Sequence, residues 1–389
     1  MSFFYKIISK IIIRKLASSF KGSLTIKFPD QSKYVIGNKK NSAYFHIINS
    51  FFLIRILFYG VSAIGYGYYK GDWKTNNLSY ILRLGLINIK TIKEIKIKAN
   101  LFYRIKRALT LESSNTITKS KKQISFHYDL GNKFYSYWLD KTMTYSSAIF
   151  NDKKISLEKA QINKYKSLTN LAKIKKNNTV LEIGCGWGGF TGYVSENIGS
   201  NVTGITISKE QYKYASKLKQ KNVMIQLLDY RKIQNKYDKV VSIEMFEAVG
   251  KKHWNTFFNI LNRSLKRNGL AALQIITINE NLYKYYSNNK DFIQKYIFPG
   301  GMLPTKKIIY NLAKTNNLSI TFEKSLGQDY AKTLYIWRKN FFSKWHNLEG
   351  LGFKKDFQRL WEFYLTYCEE GFKANTINVH QFLLKKIHD

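Results

Sequence analysis

The chain is poor in the residues that would staple or break it: 389 residues contain two cysteines, three prolines and six histidines. Cys185 and Cys368 follow no metal-ligand pattern and offer no disulfide framework, which makes a reducing cytoplasm the simpler setting. The histidines show no ligand spacing either, so no metal is expected. Negative charge is scarce: 25 Asp and Glu stand against 64 Lys and Arg, a formal net charge of +39. That surplus suits an anionic partner, nucleic acid or an acidic membrane surface, and equally reflects a composition rich in Lys, Ile and Asn. A long uninterrupted apolar run is missing too. Residues 1–20 mix apolar side chains with Lys6, Lys10, Arg14 and Lys15, which matches an amphipathic helix better than a secretory signal. Residues 51–69 are apolar and aromatic but carry Arg55 and several glycines, so they read as a buried or interfacial segment and not as a membrane span.

What is present divides into three stretches. Residues 23–37 alternate as a hairpin does, and short apolar runs continue to about residue 90, which predicts a small α+β domain over 1–110. Residues 111–123 are polar and charged and read as a linker. A catalytic domain is expected over 124–389. From Val180 onward, strand-like runs at 179–183, 202–207, 223–228, 239–243 and 270–278 alternate with amphipathic stretches such as 209–220 and 252–266. That alternation predicts an α/β fold, a mostly parallel sheet with crossover helices. In such a sheet the ligand lies beyond the carboxyl ends of the strands, where Gly184, Thr206, Asp229 and Glu244 to Glu247 fall.

The most informative stretch is 178–190, where an apolar run ends in alternating glycines and opens a helix. Gly184, Gly186 and Gly188 allow tight backbone angles and close approach of a ligand, while the helix N-terminus offers unpaired N–H groups. Glu182 before the first glycine favours an adenosylmethionine turn over a dinucleotide fingerprint. Glu244 and Glu247 stand in an otherwise apolar strand segment; one is a candidate site carboxylate, and either also reads as a charge favouring the next helix N-terminus. Aromatic residues crowd 126–145 and the C-terminal third. They read as core, or as a wall that accepts an apolar substrate and stabilises a cation.

These residues together resemble the cyclopropane-fatty-acyl-phospholipid synthases, a family that includes the mycolic acid cyclopropane synthases. The matching segments are Gln123-Ile-Ser-Phe-His-Tyr-Asp-Leu-Gly-Asn-Lys-Phe-Tyr, Thr144-Tyr-Ser-Ser-Ala, Val180-Leu-Glu-Ile-Gly-Cys-Gly-Trp-Gly-Gly, Gly204-Ile-Thr-Ile-Ser-Lys-Glu-Gln, Asp229-Tyr-Arg, Met245-Phe-Glu-Ala-Val-Gly, Phe292-Ile-Gln-Lys-Tyr-Ile-Phe-Pro-Gly-Gly, Asp329-Tyr-Ala-Lys-Thr-Leu and Tyr364-Leu-Thr-Tyr-Cys. A weaker likeness, Gly65-Tyr-Gly-Tyr-Tyr-Lys-Gly-Asp-Trp, extends to the small N-terminal domain of full-length members.

The resemblance implies a Rossmann-like methyltransferase domain with a seven-stranded sheet, and S-adenosylmethionine as the one-carbon donor to the double bond of an unsaturated acyl chain in a membrane phospholipid. It implies that Glu182, Gly184, Gly186, Thr206, Gln211, Tyr230 and Arg231 line the cofactor pocket, with Tyr145 and Ser146 at its methionine end. Ser147, Glu247, Gln274, Tyr330 and the backbone of Ile276 match positions that hold a bicarbonate ion, the base that removes a proton from the new methyl group. Cys368 matches a cysteine counted as active-site in the family, and reads equally as a buried small hydrophobe. This chain departs from many members at three positions: Ser147 stands for Cys, and Gln274 and Ala248 for His. The departures leave open a methylene- or methyl-branched product. A small-molecule N-methyltransferase is the alternative within the fold. The implied setting is the inner membrane face, held by anionic phospholipids, with no nucleic-acid signature and a homodimer left open.

Overall fold

A computed structural model describes residues 20–37, 43–59, 61–88, 130–152 and 154–387. Residues 1–19 of the N-terminal stretch expected to be amphipathic, and the expected linker at 111–123, lie outside the described residues. The chain forms two compact units.

The first unit combines described residues from 20–88 with Lys290–Ile293 and Gly352–Ala374. Strands β1 (Leu24–Lys27), β2 (Lys33–Ile36), β3 (Ala43–Ile47) and β4 (Trp73–Thr75) form a sheet in the order β2-β1-β3-β4. The hairpin expected at 23–37 is β1 against β2, antiparallel with Leu24 opposite Ile36. Its core is aromatic: Phe45 stacks on Trp73 with centroids 4.3 Å apart, and Trp73 Nε1 donates to the Ile64 carbonyl at 2.9 Å. The helix Val61–Lys70 needs its glycines, because a Cβ on Gly65 would meet the Phe292 ring at 2.3 Å. The helix Lys355–Lys373 belongs to this unit as well, its Glu362 accepting from Tyr68 Oη at 2.7 Å and its Glu370 from Arg83 Nε at 3.0 Å. The expected domain boundary at 124 had placed that helix with the catalytic part; its contacts are made by apolar and charged partners distant in sequence, which no local pattern reveals.

The second unit holds strands β5 (Thr179–Ile183), β6 (Asn201–Thr206), β7 (Val223–Leu227), β8 (Tyr237–Ile243), β9 (Leu265–Ile278), β10 (Leu318–Ser325) and β11 (Ile377–Lys386). They form one sheet in the order β10-β11-β9-β8-β5-β6-β7. The ladders from β7 across to β9 are parallel, and β11 pairs antiparallel with both β9 and β10. In β5 four successive residues, Val180 to Ile183, are buried because the sheet is covered on both faces. The chain runs outward from β5 to β7, then returns to β8 on the other side of β5. This reversal opens a crevice at the carboxyl ends of β5 and β8, the place where ligands sit in such sheets. Glu182 and Val241 are register partners, so the glycine turn after β5 and Glu244 after β8 leave the sheet side by side.

Candidate active site

The turn after β5 is shaped by three left-handed glycines, Gly184 at φ +81°, Gly186 at +56° and Gly188 at +86°. A Cβ on Gly184 would meet Met245 Cγ at 2.7 Å, whereas a Cβ on Gly186 would stand in open space. Gly184 is therefore needed to let the β8 segment approach, and Gly186 keeps the turn bare on the open side. Gly188 caps the helix Gly189–Ile198. Behind the turn, buried Glu182 accepts from Thr191 Oγ1 at 2.5 Å, which ties the strand to that helix. Burial raises its carboxyl to about 8.

Two further strand ends complete the cofactor side. Thr206 donates to Gln211 Oε1 at 2.8 Å, and Gln211 N is capped by Ser208 Oγ at 3.3 Å. Asp229 clamps Arg231 with contacts of 2.8 Å to Nε and 2.7 Å to Nη2. The buried Tyr230 hydroxyl between them has no hydrogen-bond partner among the described residues. A bare turn and an orphaned hydroxyl fit a polar, nucleoside-bearing ligand. The sequence-predicted cofactor residues are thus gathered at the ends of β5, β6 and β7.

Tyr145, Ser146 and Ser147 run along the neighbouring side. Tyr145 sits among Tyr135, Trp138 and Trp337, with ring centroids 5.5, 5.6 and 5.2 Å away. Tyr135 also meets Trp187 of the glycine turn at 4.9 Å, and Trp337 meets Tyr330 at 6.0 Å. An unbroken aromatic wall therefore connects the glycine turn to Tyr330. Ser146 Oγ accepts from the fully buried ammonium of Lys164 at 2.6 Å, and Lys164 Nζ also donates to Gln161 Oε1 at 2.8 Å. Desolvation lowers Lys164 to about 8. Sequence reasoning overlooked Lys164 and Gln161. The signal was there: Leu157, Ala160, Gln161, Lys164 and Leu168 share the buried face of the helix Leu157–Leu171 at helical spacing.

The two acids after β8 separate into distinct environments. Glu244 has φ +51°, an uncommon backbone state that costs a glutamate about 1–3 kcal/mol. Its Oε1 accepts from Ser147 N at 2.9 Å and Gln274 Nε2 at 2.7 Å, and its carboxylate also accepts from the Tyr330 hydroxyl. Gln274 is aimed by its register partner across β9 and β11, Gln381, whose Nε2 donates to Gln274 Oε1 at 3.0 Å. Ser167 Oγ in turn donates to Gln381 Oε1 at 2.7 Å. Glu247 accepts from Ile276 N, while its buried Oε2 has no hydrogen-bond partner among the described residues. Burial and the charge on Glu244 raise Glu247 to about 8; burial also raises Glu244, opposed by its three donors and by Lys164.

Of the residues expected to form an anion corner, the structure places Ser147, Gln274 and Tyr330 around Glu244, and Ile276 beside Glu247, each giving its acid a hydrogen bond. Donors expected to hold bicarbonate already serve protein carboxylates, so the residues present do not fit that ion. Cys368 lies in the first unit, on the helix Lys355–Lys373, where burial raises its thiol. No group of His, Cys, Asp and Glu among the described residues is arranged to hold a metal.

The family model for mycolic acid cyclopropane synthetase matches residues 115–382. The chain belongs to this family. It is an S-adenosylmethionine-dependent methyltransferase of the cyclopropane synthase type. It is 32% identical to the cyclopropane-fatty-acyl-phospholipid synthase of Escherichia coli over 384 residues, covering 93% of this chain and 95% of the relative. It is 33% identical to the tuberculostearic acid methyltransferase UfaA1 of Mycobacterium tuberculosis over 346 residues, 85% of this chain and 80% of that one. Among solved structures, the mycolic acid cyclopropane synthase CmaA1 complexed with S-adenosylhomocysteine aligns with a TM-score of 0.65 at 30% identity, covering 68% of this chain and 98% of its own.

Proposed function

We propose that this methyltransferase acts on the double bond of an unsaturated acyl chain in a membrane phospholipid and yields a cyclopropane ring. S-adenosylmethionine, when bound, supplies an electrophilic methyl group. Gly184, Gly186, Thr206, Gln211 and Tyr230 hold it, and Ser146, fixed by Lys164, shapes the end next to the anion corner. The observation that carries the reading is the aromatic wall from Trp187 through Tyr135, Tyr145 and Trp337 to Tyr330. Its inner rings, Tyr135 and Trp337, are fully buried and back the half-buried Tyr145, whose face is the one that meets an apolar acyl chain and stabilises the carbocation that methylation of an alkene creates. A base at the anion corner then removes a proton from the new methyl group, and the ring closes. Loss of a different proton gives a methylene-branched chain on the same scaffold.

The lipid is proposed to be reached from the inner membrane face. Among the described residues no helix is long and apolar enough to cross a membrane, and the +39 charge favours anionic headgroups at about 1 kcal/mol per basic residue near the surface. Incubation with methyl-labelled S-adenosylmethionine and unsaturated phospholipid vesicles is expected to put label into lipid, with a gain of one CH₂ by mass spectrometry. Label appearing only in added small amines would replace this reading with N-methylation.

A further inference from the structure

We infer that Glu244 is the built-in proton acceptor of this enzyme, taking the place that a bicarbonate ion would otherwise fill. The inference rests on the function proposed above and concerns only how the cation is resolved.

Three observations support it. The carboxylate takes hydrogen bonds from Ser147 N, Gln274 Nε2 and the Tyr330 hydroxyl, which belong to three of the residues expected to position a small oxyanion base. A carboxylate so held is oriented, and its donors favour the charged form against the burial that opposes it. Its backbone sits at φ +51°, where glycine is at ease and glutamate is strained, immediately past β8 on the crevice side of the sheet. Strain of this kind is retained where the side chain is wanted in that place. Finally, Gln274 and Gln381 are both fully buried and joined in a relay that ends on Glu244, so two strands are committed to aiming it.

The chemistry balances with this one group. A C–H bond of the transferred methyl breaks, its electron pair closes the ring onto the cationic carbon, and the proton passes to the Glu244 carboxylate. The resulting carboxylic acid returns its proton to solvent after product release. Glu247 is less well aimed, since it takes a backbone hydrogen bond from Ile276 N and its Oε2 meets no donor among the described residues.

The test compares wild type, Glu244→Gln and Glu244→Gly on unsaturated vesicles in carbon-dioxide-depleted buffer, with and without added bicarbonate. Label in lipid, ring content of the product and cofactor affinity by calorimetry are read together. The wild type is expected to run at the same rate in both buffers. Glu244→Gln, which keeps the hydrogen-bond acceptor and loses the base, is expected to fall by about 10²–10⁴-fold in ring formation with cofactor affinity retained. Glu244→Gly, suited to the left-handed backbone, is expected to regain ring formation when bicarbonate is added. A wild type that stops without bicarbonate, or a Glu244→Gln variant that still forms rings at the wild-type rate, overturns the assignment. Wild-type enzyme that labels no lipid in either buffer refutes the proposed substrate instead.

Discussion

Gln381 donates its side-chain amide to Gln274 across an antiparallel register pair, at 3.0 Å, and both side chains are fully shielded from solvent. The contact joins the last strand of the chain to the acid after β8, since Gln274 spends its own amide on Glu244. Gln381 is thereby a positioning residue that touches no reacting atom. Gln381→Leu is expected to lower kcat about tenfold, the weight of one buried hydrogen bond, while leaving KM for S-adenosylmethionine unchanged. Steady-state kinetics separate the two, and Gln381→Glu, which still accepts from Ser167 Oγ, is expected not to rescue because it has no amide to donate. Equal changes in kcat and KM would point to general loss of structure.

Lys164 offers a second test. Replacing it with Met keeps the volume but leaves Ser146 Oγ and Gln161 Oε1 without their shared donor. Unfolding in urea is expected to show a loss of about 1–3 kcal/mol, the range for acceptors left unpaired in the interior. Cofactor affinity, measured by calorimetry, is expected to weaken as Ser146 loosens.

Gly184→Ala addresses the crevice itself. The new methyl group would sit at a left-handed φ and press on Met245, the residue next to Glu244. A stability loss of about 1–3 kcal/mol is expected, together with weaker cofactor binding, because the turn and the β8 segment move apart. Gly186→Ala meets no neighbour and so isolates the backbone cost.

Stability should fall as pH rises from about 5 to 8. Glu182 and Glu247 titrate near 8 in the fold against an ordinary value of 4.5, so over that window the native state holds protons that the unfolded chain releases. Their contribution is complete below the unfolded value and is lost as pH passes through the folded one. Lys164, lowered to about 8, acts in the opposite sense above pH 8, where the unfolded chain binds the extra proton. Urea midpoints across this range, in wild type and in Glu182→Gln, check the sign: the variant is expected to show a shallower decline.

Vesicle sedimentation tests the role of the basic surplus. Binding is expected to strengthen with the fraction of anionic lipid and to weaken with added salt, as screening shortens the reach of exposed charges. Binding unaffected by either would assign the surplus to composition alone.

Much of this protein is legible in the linear chain because the signals are local. The alternation from Val180 fixed a mostly parallel sheet, since burial on both faces requires continuous apolar strands, and the glycines of 184–188 with Glu182 marked the cofactor turn. Helix ends were less legible: the stretch expected to be helical to 266 stops at Arg263, where β9 begins two residues later. The closing strands β10 and β11 pair antiparallel, and their partners are settled by tertiary register and not by periodicity. The same holds at the site. Composition and spacing identified Glu244 and Glu247 as two acids of equal standing, because a sequence carries no record of which donors a carboxylate will meet. Only the folded sheet, by setting β8 beside β9 and bringing Ser147 and Tyr330 across from distant segments, gave Glu244 three donors and left Glu247 with a backbone amide and an unpaired oxygen.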